Sequence, residues 1–78
     1  MDEKQQVEKT ASDVFKKLRL DWVVAVVEDN RLARTWDVEV QVPGGSELIL
    51  TVPHGTPDEL KKALREQTEE EMDRLHIA

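Results

Sequence analysis

The chain has no cysteine, which excludes disulfide frameworks, thiolate zinc sites and cysteine nucleophiles together. Aromatic residues are scarce as well: one Phe, two Trp and no Tyr in 78 residues, of which 38% are hydrophobic. The core must therefore be built from Val, Leu, Ile and Ala, and so thin a core gains from self-association. No apolar run approaches the ~18 residues that span a bilayer. The opening MDEKQQVEKT is too polar for a signal peptide, so the sequence reads as cytoplasmic, with no membrane partner. A chain of this length supports a single domain, 1–78, and leaves little room for a large buried catalytic cavity.

Basic residues are in the minority. Seventeen acids against eleven bases give a net charge of −6, which argues against a grip on nucleic-acid phosphates, since that grip needs clustered Lys and Arg. The imbalance is local: residues 20–55 hold six acids and two bases, and residues 56–78 hold seven acids and four bases.

What is present organises into five elements. Val7, Ala11, Val14, Phe15 and Leu18 recur at the spacing of one helical face and predict a helix over Glu3 to Leu20. Its acids come first and Lys16, Lys17 and Arg19 last, the order the helix dipole favours. LDWVVAVVEDNR places four valines in six positions, which favours a strand from Trp22 to Glu28. RTWDVEVQV alternates, with Trp36, Val38, Val40 and Val42 on one face and Thr35, Asp37, Glu39 and Gln41 on the other. PGGS supplies a reversal, and ELILTV follows with Leu48, Leu50 and Val52 inward. A closing helix completes an α+β fold: a three-stranded antiparallel sheet flanked by an N-terminal and a C-terminal helix.

The corner before that last helix, VPHGTPDEL, is where chemistry is best sought. Thr56-Pro57-Asp58-Glu59 is a capping box with Pro at the first helical position, so the corner reads as a helix start. Asp58 and Glu59 occupy the positive end of the dipole and would repel a phosphate. Gly55 reads as relief of backbone strain in a tight turn. His54 lacks a cysteine or serine beside it, and no carboxylate is fixed near it by spacing. His76 stands about 28 Å away along a helix rising ~1.5 Å per residue, too far to share a metal. A structural or exposed His54 is the expectation, with no metal and no cofactor; a catalytic role completed across a dimer is the alternative.

Two features ask for a partner. The run Trp22 to Val27 is apolar on both faces and lies at an edge of a three-strand meander, which predicts a homodimer through Trp22, Val23, Ala25 and Val27 unless the strand sits in mid-sheet. EQTEEEMD carries Glu66, Glu69, Glu70, Glu71 and Asp73 without a base, opposing the helix dipole. One reading is a solvated face, partly offset by a Glu70 to Arg74 pair. The other is an acidic surface for a basic protein partner, joined by Asp37 and Glu39 and carried on a helix end that projects past the sheet.

The order helix, three strands, helix, with TWDVEVQV, a turn, a strand and DELKKALRE, resembles the double-stranded-RNA-binding domains. That resemblance implies a nucleic-acid interface through Lys61, Lys62 and Arg65. Those domains open the second helix with a basic cluster, whereas this helix opens with Asp58-Glu59 and reaches Lys61 and Lys62 one turn later. A turn, an alternating strand and DELKKAL also resemble small phage head-joining proteins, over less than half of the chain. The residues themselves favour a small, acidic, non-enzymatic interaction module: an adaptor first, and second an inhibitor that mimics phosphates.

Overall fold

The computed structural model describes residues 3–75; His76 lies outside them. The elements run α1 (Glu3–Lys17), β1 (Val23–Asn30), β2 (Thr35–Val42), β3 (Ser46–Pro53) and α2 (Pro57–Arg74). The three strands form one antiparallel sheet in the order β1-β2-β3, so both outer strands are edges. The expected α+β architecture is the observed one.

Both helices cover the same face of the sheet. Val7, Ala11, Val14 and Phe15 of α1 and Leu60 and Leu64 of α2 meet Trp36, Val38, Val40, Leu48, Leu50 and Val52 in one core. Burying side chains of this size stabilises by about 1.5–3 kcal/mol each. The opposite face of the sheet has no helix over it, and exposed Val23, Val26 and Ile49 lie on it.

Helix α1 ends at Lys17 rather than at Leu20. Arg19 adopts φ 58°, its amide donates to the Lys16 carbonyl at 3.0 Å, and the Leu20 amide donates to the Phe15 carbonyl at 2.9 Å. This is a Schellman cap with arginine where glycine is usual. The reversal swings Trp22 inward, where its ring meets the edge of Phe15 at a centroid distance of 5.4 Å.

Strand β1 departs from simple alternation. The register places Val24 opposite Val40 and then Val26 opposite Glu39, a bulge at Ala25. One extra residue reverses the facing of all that follow. Val24 and Val27 therefore turn to the core, while Val23, Ala25 and Val26 turn to solvent. The residues expected at an interface thus divide: Val23 and Ala25 are exposed, whereas Trp22 is a buried core residue outside the strand and Val27 packs inward.

At the β2–β3 turn, Gly44 and Gly45 have φ of 102° and 89°, conformations that side chains with a Cβ rarely adopt. Gly55 answers to a different need. Its φ is not positive, but a Cβ there would lie 3.3 Å from the Glu59 side chain. Glu59 is held in place by the capping box: its amide donates to Thr56 Oγ1, and its Oε1 accepts from the Thr56 amide, each at 3.3 Å.

Helix α2 does not project past the sheet. Thr68 is fully buried, its hydroxyl donating to the Leu64 carbonyl at 2.6 Å, and Met72 packs against the core. Arg74 pairs with Glu71 rather than with Glu70. Among the described residues no helix is long and apolar enough to cross a membrane.

Candidate protein-binding face

The uncovered face of the sheet takes its residues from alternate positions of three strands. β1 contributes Val23, Val26 and Glu28; β2 contributes Thr35, Asp37, Glu39 and Gln41; β3 contributes Glu47, Ile49 and Thr51. The cross-strand rows place Val26, Glu39 and Ile49 side by side, and Glu28, Asp37 and Thr51 in the next row. Val23, Val26 and Ile49 are 60%, 41% and 62% exposed. The central strand of this face is polar throughout, and the exposed apolar side chains flank it on the two edge strands.

The charge on this face has one sign. Glu28, Asp37, Glu39 and Glu47 belong to it, and none of its strand residues is basic. Glu28 stands directly opposite Asp37, and like charges in that position cost about 0.2–1 kcal/mol. Among the described residues, Asp37 accepts a side-chain hydrogen bond from the Thr51 hydroxyl, at 3.3 Å, and has no ion pair. Between Ala25, Glu39, Gln41, Glu47 and Ile49 lies a shallow dimple of ≈ 30 Å³. That is about one water molecule's share of the liquid, enough for the tip of a side chain.

The other expected acids lie across the sheet, on α2. Glu69 is engaged by Arg65 at 2.9 Å, and Glu71 by Arg74. Glu66, Glu70 and Asp73 are exposed and without an ion pair among the described residues. The sheet separates all five from Asp37 and Glu39, so the two sets do not form one surface. Val26, Glu28, Glu47 and Ile49 are the residues that sequence reasoning missed. Alternation in ELILTV would have placed the last two; Val26 and Glu28 required the bulge.

His54 acquires a carboxylate neighbour that linear spacing does not reveal. Its Nε2 lies 2.8 Å from Asp29 Oδ1. That oxygen is buried and has no aligned hydrogen bond. The imidazole also leans on Trp36, with centroids 4.9 Å apart and planes tilted by 47°. The His54 amide donates to the Arg34 carbonyl at 2.9 Å. A cavity of ≈ 280 Å³ adjoins it, floored by Val7, Trp36 and Leu60. The nearest hydroxyl in sequence, that of Thr56, is committed to the capping box. The arrangement braces β3 against the β1–β2 hairpin.

Lys61, Lys62 and Arg65 are exposed on α2. The Lys17 ammonium is held below its usual range by Lys61, first through a side-chain hydrogen bond and then through like charge. Arg65 adds to this and Asp13 opposes it. Arg65 is itself paired with Glu69. The basic residues of this side are thus interleaved with Asp13, Asp58 and Glu69, unlike a continuous phosphate-binding stripe.

No family model, no curated protein and no solved structure matches the chain.

Proposed function

We propose that the chain is a cytoplasmic, non-enzymatic protein-interaction module whose uncovered sheet face receives a basic, partly apolar protein surface. The observation that carries this reading is the opposition of Glu28 and Asp37 on a face of four acids and no basic strand residue. An arrangement that costs stability in the free protein becomes favourable when a partner's cations come between the carboxylates. Exposed Val23, Val26 and Ile49 supply the apolar part of the contact. The α2 acids remain a solvated face, because two of the five are already neutralised within the helix.

An octapeptide alternating arginine and valine tests the reading. The wild-type chain should bind it with an affinity that falls as salt rises, and an octapeptide alternating aspartate and valine should not bind. Glu28→Lys with Glu39→Lys should abolish binding while the circular dichroism spectrum is retained. Binding that survives this double reversal would overturn the reading.

A further inference from the structure

The face described above holds four of the five acids on the strands, Asp29 lying beside His54 instead; the bases of the sheet layer remain. Residues 20–55 contain only two, Arg31 and Arg34, and both lie in the β1–β2 loop around Leu32. Leu32 is 101% exposed, the most exposed of the large hydrophobic side chains. The loop is held in shape: Asn30 Oδ1 accepts from the Ala33 amide at 3.2 Å, and the Arg34 carbonyl accepts from the His54 amide at 2.9 Å. Arg34 adopts φ 55°, a left-handed conformation that costs a residue other than glycine about 1–3 kcal/mol. Arg31 reaches Asp29 at 3.7 Å yet stays 90% exposed, a surface pair worth little.

The sheet layer therefore has a negative face and a positive, apolar tip, and from this geometry we infer that the partner is a second copy of the chain, bound tip to face. This inference rests on the sheet face being the binding surface. Two symmetric alternatives are disfavoured by the same observations. Face-to-face pairing would set four acids against four. Edge pairing through β1 meets the bulge at Ala25, a device that turns edges away from one another. Tip-to-face contact instead brings Arg31 and Arg34 to Glu39 and Glu47, and gives the end of Leu32 the dimple beside Ile49. Such a contact is heterologous: each copy keeps a free tip or a free face, so association continues into rings or filaments.

Sedimentation velocity of the full chain, from low micromolar to near-millimolar concentration, tests this. Wild-type mass should rise past the dimer with concentration, and less so at high salt. A tip variant, Leu32→Ser with Arg34→Gln, and a face variant, Glu39→Lys with Glu47→Lys, should each weaken self-association about tenfold or more. The face variant has an intact tip and the tip variant an intact face, so an equimolar mixture should form a one-to-one dimer that grows no further. A wild-type chain that stays monomeric throughout, or that stops at a dimer, overturns the inference. So does a mixture that fails to pair although both variants keep the wild-type circular dichroism spectrum. If the wild-type chain is monomeric but still binds the arginine-valine peptide on the sheet, self-recognition alone is lost and the binding face stands. If it does neither, both readings fall.

Discussion

Glu28 and Asp37 face each other directly across the β1–β2 ladder, on a sheet surface that no helix covers. Opposed carboxylates disfavour folding and attract cations, so one pair of residues links the stability of this domain to the binding proposed for it.

That link yields the first prediction. Glu28→Gln should raise the free energy of unfolding by about 0.2–1 kcal/mol at low ionic strength, with the gain shrinking as salt screens the pair. The same variant should bind the arginine-valine peptide more weakly. Urea titrations at two salt concentrations check the stability; a variant less stable than wild type would show that the two carboxylates do not repel.

Arg19 offers a second test, remote from any binding surface. Its left-handed conformation closes the cap on α1, and glycine adopts that conformation freely. Arg19→Gly should stabilise the fold by about 1 kcal/mol. An unchanged or lowered urea midpoint would contradict the cap.

The burial of Trp22 is equally open to measurement. Trp22 and Trp36 are each 6% exposed, so the folded chain should emit at short wavelength and resist quenching by acrylamide. Trp22→Ala should cost about 3–5 kcal/mol, whereas Val23→Ser, at a solvent-facing position, should stay within about 0.5 kcal/mol. Equal effects would return Trp22 to the surface.

Lys17 carries a prediction for pH. Its ammonium is held below the usual range by Lys61, so the folded state binds that proton more weakly than the unfolded state. Repulsion therefore opposes folding at neutral pH and is relieved as pH rises through the lysine range. Lys17→Gln should be more stable than wild type near pH 7, and the difference should shrink at high pH and high salt. A variant less stable than wild type would contradict the contact.

The sequence made most of the fold legible because its signals were local. The alternation of Trp36, Val38 and Val40, the glycines after Pro43, and Thr56 three residues before Glu59 each fix an element through neighbours in the chain. What escaped depended on relations between elements. One extra residue at Ala25 decides the facing of Val26, Val27 and Glu28, and nothing in four clustered valines marks where it sits. The contact between His54 and Asp29 depends on how β1, β2 and β3 are paired, not on sequence distance. Likewise, whether Asp37 and Glu39 join the α2 acids is decided by which face of the sheet the helices cover.

The most direct test of the binding face is amide chemical-shift mapping of the labelled chain during titration with the arginine-valine octapeptide. Shifts should concentrate at Val26, Glu28, Asp37, Glu39, Glu47 and Ile49 and leave Glu66, Glu70 and Asp73 unmoved. Shifts confined to the α2 acids, with the sheet silent, would contradict the assignment of the face.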